Sequence, residues 1–210
     1  MKGLLLKDWY VALKYCRLHF AIVIFMSVLS VFVDTGMVYL LYPMLFAGVI
    51  PVYVLSVDEK QGWNAYAQTL PVPRRALVTA KYIDVLAVLG GALLLMGVLW
   101  TIKARLSPDA GYEVPQMLGL LLCAGLVFPT LTLPAMLRFG VEKGRYIMMA
   151  GVAVLAAIIA GALFSSDKAP LPGGSLGVPG NLIPMLICGM LALFVLSWFI
   201  ACKLYEKREL

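Results

Sequence analysis

The sequence predicts an all-α membrane protein with six transmembrane helices, an N-terminal amphipathic helix and a short helix in one of the links. The first observation behind this prediction is composition: of 210 residues, 62% are hydrophobic and 13% are charged, and the mean hydropathy is +0.94. Soluble domains average about 45–50% apolar and about 25% charged residues, so we expect a lipid bilayer around this chain. One span takes about 20 residues. A single membrane domain over residues 1–210 therefore leaves no room for a self-contained ATPase or a large catalytic ectodomain.

The second observation is the spacing of the apolar runs, which fall into six windows of membrane-spanning length. The first run is the shortest, and we expect it to continue from the helix that precedes it. The link 165–181 is rich in glycine and proline, which fits either an exposed loop or a re-entrant turn. The predicted spans are residues 18–33, 37–57, 83–102, 117–137, 146–164 and 182–202.

The third observation is that lysine and arginine crowd the links on one side of these spans. Of the 17 basic residues, only Lys103, Arg105 and Lys168 fall on the other side. The positive-inside rule then places both termini in the cytoplasm. Topology thus explains the net charge of +6, and no nucleic-acid partner is needed. The cytoplasmic basic residues are Lys2, Lys7, Lys14, Arg17, Lys60, Arg74, Arg75, Lys81, Arg138, Lys143, Arg145, Lys203, Lys207 and Arg208.

Residues 1–17 are expected to form an amphipathic helix. Leu5, Trp9 and Leu13 recur at a spacing of four on one face, and Lys7 and Lys14 lie on another. A basic helix with a tryptophan on its apolar face lies in the membrane interface, in contact with lipid. Such a helix is either a simple anchor or an elbow helix that also contacts a cytoplasmic partner.

The longest cytoplasmic link, 58–82, carries a short helix with aromatic residues on one face. Asp58 and Glu59 would suit its N-terminus electrostatically. Trp63, Tyr66 and Leu70 follow at spacings of three and four, and Pro71 and Pro73 end the helix. The aromatic face indicates either a docking surface, since aromatic residues are enriched in binding hot spots, or a position in the headgroup region of the membrane.

The chain lacks the motifs of an enzyme or of a metal protein. A phosphate-binding loop needs the pattern GxxxxGK[ST], and this sequence contains no Gly-Lys dipeptide. The four cysteines form no CxxC pair and His19 is the single histidine, so we expect neither a zinc site nor a disulfide framework. No catalytic residue and no cofactor of its own are therefore predicted for this chain.

Three stretches of the chain resemble the ABC-2 type transporter permeases, in particular the small permease subunits of exporters for phenol-soluble modulins and antimicrobial peptides. They are the opening Met-Lys-Gly-Leu-Leu-Leu-Lys-Asp-Trp, the pattern Asp-Glu-Lys…Trp…Leu-Pro-Val-x-Arg…Val…Lys-Tyr within 58–82, and Leu-Pro-Ala-Met-Leu-Arg-Phe-Gly-Val-Glu-Lys-Gly-Arg at 133–145. The resemblance implies a non-enzymatic half-transporter in a bacterial plasma membrane. Two copies would pair, and each would sit on a separate ABC ATPase subunit that binds ATP and Mg²⁺.

In such permeases, the helix in the 58–82 link corresponds to the coupling helix, which enters a groove on the ATPase. The turn at 138–145 would form a second, smaller contact. The residues implied in the first contact are Asp58, Glu59, Trp63, Tyr66, Leu70 and Arg74, and those in the second are Arg138, Glu142, Lys143 and Arg145.

The spans themselves carry few ionisable residues, which argues against a proton relay or an ion channel. Pro129 and Pro134 lie in the fourth span and would act either as a hinge or as a static kink. The bare spans suit an apolar or amphipathic cargo, and the resemblance implies export of an amphipathic or antimicrobial peptide by alternating access. Export of drugs or lipid-like molecules, and a non-transporting role in peptide immunity, are the alternatives.

Overall fold

The computed structural model of the chain describes residues 2–32, 38–69, 73–106, 114–165 and 183–206. Over these residues the prediction of an all-α fold is confirmed. The helices are α1 Lys2–Tyr15, α2 Arg17–Phe32, α3 Val38–Lys60, α4 Trp63–Thr69, α5 Arg74–Leu106, α6 Val114–Ser165 and α7 Ile183–Glu206.

Four helical stretches in the described part of the chain are long and apolar enough to cross a membrane. The bent pair α1 and α2 adds a fifth candidate if the two helices form one span. On its own α2 has 16 residues and a length of about 24 Å, which is shorter than the hydrocarbon core of about 30 Å. The four stretches are Leu41–Lys60, Arg74–Arg105, Val114–Val141 and Ile183–Tyr205.

The sixth span was predicted at 146–164. The backbone there is helical, as the second half of α6, but most of its side chains lie outside the described residues. Of the predicted link 165–181, Ser165 ends α6 and residues 166–181 also lie outside the described residues. A count of six spans therefore stays a prediction.

The first predicted span does not continue straight from the N-terminal helix. α1 and α2 meet at Cys16 and are bent by 76° relative to each other. Backbone hydrogen bonds run through the bend, from the Cys16 amide to the Ala12 carbonyl at 2.8 Å and from the Phe20 amide to the Cys16 carbonyl at 3.0 Å. α1 packs against α3 and α5 through Asp8 and Ala12, which are both buried.

The link before α4 differs from the sequence prediction in where its acidic residues lie. Asp58 and Glu59 occupy the last turn of α3, which extends to Lys60, so the prediction that they begin the next helix is wrong. The signal that sequence reasoning missed is Gly62, which has φ +69° and ends α3 as glycine commonly ends helices. Its amide donates to the Glu59 carbonyl at 3.1 Å.

α6 replaces the predicted link at 138–145 with a break at one residue. The helix runs through Phe139, and Gly140 has φ +81° and ψ 170°, which are non-helical dihedrals, before helix resumes at Val141. Pro129 and Pro134 both lie inside the helical stretch that precedes this break.

The core of the bundle forms where α3 and α6 approach closely. A Cβ placed on Gly48 of α3 would lie 2.9 Å from the carbonyl oxygen of Gly125 in α6, so this approach requires glycine. Pro129 lacks the N–H that would bond the Gly125 carbonyl within α6, and the Gly48 backbone covers that oxygen instead. The largest fully buried side chains around this contact include Met44, Ile50, Leu89, Met96, Leu121, Leu126 and Leu133.

Candidate functional site at the base of the bundle

Charged side chains from three helices form a cluster at one end of the bundle, which we call the base. In this ion-pair cluster, made of Lys7, Asp8, Asp58 and Lys81, each ammonium group contacts both carboxylates. Lys7 Nζ lies 2.8 Å from both Asp58 oxygens and from Asp8 Oδ1. Lys81 Nζ lies 2.7 Å from Asp8 Oδ1 and 2.6 Å from Asp58 Oδ2. The cluster thus ties α1 to the end of α3 and the start of α5.

The cluster is buried, and its four charges balance. Asp58 is 1% exposed, Asp8 4% and Lys81 7%, whereas Lys7 is half-buried. Asp58 sits at the C-terminal end of a helix, where a negative charge is unfavourable, and the two ammonium groups offset that cost. Burial alone would raise the pKa of the Asp8 carboxyl, but the charge of Lys81 and hydrogen bonds at its oxygens hold this pKa below its ordinary value.

A third carboxylate, Asp84, lies on α5 one turn beyond Lys81. It is half-buried, and its Oδ2 has no hydrogen-bond partner among the described residues. This side chain, Asp8 and Lys81 line a cavity of about 10 Å³, which is close to the volume that a single water needs.

α4 rests on the ion-pair cluster through one face and exposes the other. The Lys7 ammonium lies 4.0 Å from the centre of the Trp63 ring in a cation–π contact, and Ala67 is 1% exposed. Tyr66 is 58% exposed, and its ring centroid lies 5.4 Å from that of Trp63. The Tyr66 ring is therefore exposed on a helix whose opposite face is held by the contacts of Trp63 and Ala67.

Several segments that are distant in sequence converge beside α4. A cavity of about 20 Å³ under this helix is lined by residues of α1, α3, α4, α5, α6 and α7. Leu4, Leu137 and Tyr205 are among them. The N-terminal helix, the 58–82 link, the region before the α6 break and the end of α7 therefore lie at the same end of the bundle.

Glu59 links the end of α3 to the break in α6. Its Oε2 accepts a hydrogen bond of 2.7 Å from the amide of Val141, the first residue after Gly140. The first amides of a helix lack partners within that helix, and a carboxylate is favourable there because the helix N-terminus carries partial positive charge. Glu59 therefore caps the second half of α6.

The residues predicted to contact a partner differ in how exposed they are. Asp58 is enclosed by this chain's own lysines, so we assign it to the ion-pair cluster rather than to partner contact. Glu59 and Trp63 are half-buried, and Tyr66, Arg74 and Arg138 are exposed. Leu70 and the side chains of Glu142, Lys143 and Arg145 lie outside the described residues.

Sequence reasoning missed Lys7, Asp8 and Lys81 as members of the site. From the sequence, Lys7 lies on the polar face of the N-terminal helix, and Lys7 and Lys81 serve as markers of topology. The available signal was an acidic residue beside a lysine in α1, together with Lys81 at the end of the 58–82 link and Asp84 at the start of the third predicted span.

The two prolines of α6 lie in a region where hydroxyl groups bond backbone carbonyls. Thr130 Oγ1 donates to the Leu126 carbonyl at 2.6 Å, and Thr132 Oγ1 to the Phe128 carbonyl at 2.8 Å. Both carbonyls also face the amide of a residue four positions on, Thr130 or Thr132, so these hydroxyl groups add bonds beside the prolines and do not replace the ones that Pro129 and Pro134 remove. α6 keeps helical dihedrals at both prolines, so whether they form a hinge stays a prediction.

An apolar groove lies between α5 and α6, away from the base. Its volume is about 660 Å³, and it begins about 14 Å along α5 from Lys81, at Gly90. Thr101 is the one polar residue in its lining, which otherwise consists of Gly90, Leu93, Leu94, Gly97, Val98, Leu118, Gly119 and Leu122. No group of three or more metal-ligating side chains occurs in the described ranges.

Comparison with known proteins identifies one family. A family model described as ABC-2 family transporter protein matches residues 3–206, which is nearly the whole chain. No curated protein and no solved structure matches it.

Proposed function

Because the chain belongs to the ABC-2 family of transporter proteins, we propose that it is the permease subunit of an ATP-driven peptide exporter in a bacterial plasma membrane. Two copies pair, and each binds a separate ABC ATPase subunit that holds ATP and Mg²⁺. The base of the bundle faces the cytoplasm in this proposal, with both chain termini on that side.

The observation that carries the proposal is the exposed Tyr66 on an anchored α4. A helix of seven residues is too short to be stable alone in water, so its conformation depends on the contacts beneath it. Trp63 on Lys7 and the buried Ala67 supply those contacts. Exposed aromatic rings on a rigid support are typical of the residues that dominate binding energy at protein interfaces.

The contacts beneath α4 indicate how movement of the ATPase would reach the spans. Displacing α4 pulls on Lys7 through Trp63, and Lys7 bonds Asp58 at the end of α3. Lys81 carries the same displacement to α5, and Glu59 to the second half of α6. In alternating access, ATP binding by the partner would thus move several spans together.

An amphipathic peptide is the proposed cargo. The apolar groove between α5 and α6 offers a surface for the apolar face of such a helix, with Thr101 as its polar residue. The charged residues of α3 and α5 lie near the base or, like Lys103 and Arg105, in the last turn of α5 at the opposite end. The stretch of α5 between these two ends is apolar and suits an apolar cargo. Two alternatives compete with this proposal. The cargo is a drug or a lipid-like molecule, or the chain sequesters a peptide without transporting it.

Substituting Tyr66 with alanine is expected to lower ATPase association about tenfold or more, the effect of losing an aromatic hot spot. Folding should be unaffected because this ring is exposed. The measurement is co-purification of tagged permease with the candidate ATPase in detergent, followed by vanadate-sensitive ATP hydrolysis.

Tyr10→Ala is the matched control. This tyrosine is 66% exposed on α1, on the same face as Leu6 and Leu13, which are also exposed and suited to lipid. Tyr10→Ala should therefore leave ATPase association unchanged. Equal association of wild type and Tyr66→Ala would remove α4 from the proposed interface.

The cargo is tested by adding a synthetic amphipathic α-helical peptide to the reconstituted complex, with a scrambled peptide of equal composition as control. Stimulation of ATP hydrolysis by the amphipathic peptide alone, with its accumulation in inside-out vesicles, supports peptide export. If neither peptide changes the rate of ATP hydrolysis, the proposed peptide cargo is contradicted, but the assignment as a permease subunit still stands. Protection from the peptide without ATP turnover would instead indicate an immunity subunit.

A further inference from the structure

Pro134 leaves one backbone carbonyl of α6 without its usual donor. In an α-helix the amide of residue i bonds the carbonyl of residue i−4, so a proline at 134 leaves the Thr130 carbonyl unpaired within its own helix. Ser197 of α7 supplies the missing bond, because its Oγ donates to the Thr130 carbonyl at 2.7 Å. Thr130 and Ser197 are 8% and 4% exposed, so water has little access to this carbonyl.

A third residue holds Ser197 in place. The Tyr82 hydroxyl of α5 lies 2.8 Å from Ser197 Oγ. A serine hydroxyl has one hydrogen, and in Ser197 that hydrogen is committed to the Thr130 carbonyl, so Tyr82 is the donor in this bond. The Tyr82 ring also packs against Phe194, with centroids 5.1 Å apart. The result is a directed relay from Tyr82 to Ser197 to the Thr130 carbonyl.

The relay begins next to the ion-pair cluster. Lys81 and Tyr82 are consecutive in α5, and successive side chains on a helix project about 100° apart. Lys81 therefore reaches α1 and the end of α3, while Tyr82 reaches α7 and, through Ser197, the proline region of α6. A rotation or shift of α5 at this point changes both sets of contacts together.

We propose that Tyr82 and Ser197 are positioning residues that brace α6 at Pro134 and release it when the transporter changes conformation. The functional part of this inference rests on the proposed permease function, and the structural part does not. Without the brace, the Thr130 carbonyl has no donor and α6 gains freedom to bend at Pro134. With it, the segment of α6 between Pro134 and Gly140 keeps one orientation relative to α7.

If Ser197 acts as a brace, the effect of removing its hydroxyl depends on the residue at position 134. A general packing role predicts no such dependence. If Ser197 only filled space in the core, removing its hydroxyl would have the same effect whatever residue stands at 134. If it replaces the bond that Pro134 withdraws, Pro134→Ala restores an amide donor within α6 and makes the serine hydroxyl dispensable.

The test is a distance measurement by pulsed electron paramagnetic resonance on the full chain in lipid nanodiscs. The four native cysteines are replaced, and spin labels are attached at Phe139→Cys of α6 and Lys203→Cys of α7, both exposed positions. Excess unlabelled protein ensures that only distances within one chain contribute. A second label pair, at Leu94→Cys of α5 and Met185→Cys of α7, reports on a region away from the brace.

In the parent protein we expect one narrow distance distribution for the 139–203 pair. S197A should shift the balance between braced and released conformers by roughly three- to tenfold, as expected for loss of one hydrogen bond between membrane helices. Y82F should have a smaller effect in the same direction, and S197T, which keeps the hydroxyl, should behave as the parent. The 94–185 pair should stay unchanged in all of these variants.

The matched control is Ser27→Ala, which removes an equally buried hydroxyl whose bond, to the Val23 carbonyl at 2.7 Å, stays within α2. It should leave both distributions unchanged. In the Pro134→Ala background, adding S197A should also have no effect on the 139–203 pair. Identical distributions for the parent, S197A and Y82F, or an equal effect of S197A with and without Pro134, would overturn the brace.

Because these distances need no ATPase, they separate the brace from the proposed function. In the reconstituted complex, the same S197A variant is expected to hydrolyse more ATP per amphipathic peptide moved, while S197T keeps the parent ratio. A confirmed brace with no ATPase association in any variant would overturn the permease function alone. A changed ratio without a changed distance distribution would overturn the brace alone.

Discussion

Replacing Lys81 with methionine is expected to destabilise the protein by about 3–5 kcal/mol, the usual cost of removing one partner from a buried ion pair. Lys81 is 7% exposed and bonds both Asp8 and Asp58. Methionine fills a similar volume, so the loss is mainly electrostatic: two buried carboxylates would share the single ammonium of Lys7. The measurement is thermal unfolding of the purified chain in detergent, followed by size-exclusion chromatography and tryptophan fluorescence.

Two variants separate this effect from a general loss of positive charge. Lys203→Met removes an exposed lysine from the last turn of α7 and should change stability by well under 1 kcal/mol, as is usual for surface substitutions. Adding Asp8→Asn to Lys81→Met removes one uncompensated carboxylate and should recover part of the lost stability. The opposite result, in which Lys81→Met unfolds at the temperature of the parent protein, would show that the cluster contributes little.

Because the cluster lies between α4 and the spans, we expect its loss to affect the proposed function as well. If Lys81→Met folds at low temperature, α4 loses part of its support, since Lys7 must then satisfy both aspartates and has less freedom to face Trp63. We therefore expect the folded fraction of Lys81→Met to bind the ATPase more weakly than the same amount of folded parent protein.

The sequence was sufficient to predict the features that depend on local pattern. Apolar runs located the stretches that the structure describes as long helices, and the 63–66–70 spacing located α4 in the link after α3. Among the described residues, the basic residues predicted to share one side belong to segments that meet at the base. These features follow from composition and from periodicities of a few residues, which need no knowledge of tertiary contacts.

The candidate site itself depends on contacts between residues far apart in sequence. Lys7 and Asp58 are 51 residues apart, Asp8 and Lys81 are 73 apart, and Glu59 and the Val141 amide are 82 apart. An acidic residue near each lysine is a local signal, but it does not identify the distant helix that the lysine contacts. The misplacement of Asp58 and Glu59 had a local cause, because Gly62 was not recognised as the residue that ends α3.

Replacing Gly140 with alanine is expected to cost about 1–3 kcal/mol, because its dihedrals, φ +81° and ψ 170°, fall in a region that is essentially restricted to glycine. The residue is also buried at the base, so the backbone has little room to relax around an added Cβ. A shift of this break would move the Val141 amide away from Glu59 Oε2, which now lies 2.7 Å from it. Gly140→Ala should therefore lower the unfolding temperature.

A matched glycine and a second substitution make this prediction specific. Gly91 lies in the helical part of α5, and a Cβ there would meet nothing within 4 Å, so Gly91→Ala should be neutral or stabilising by up to about 1 kcal/mol. Glu59→Gln keeps an acceptor for the Val141 amide but loses the charge. It should destabilise the parent and have less effect in the Gly140→Ala background, where the bond is already weakened. Additive losses in the double variant would show that the glycine break and the Glu59 cap act independently, and the second half of α6 would then be oriented by its packing rather than by the end of α3.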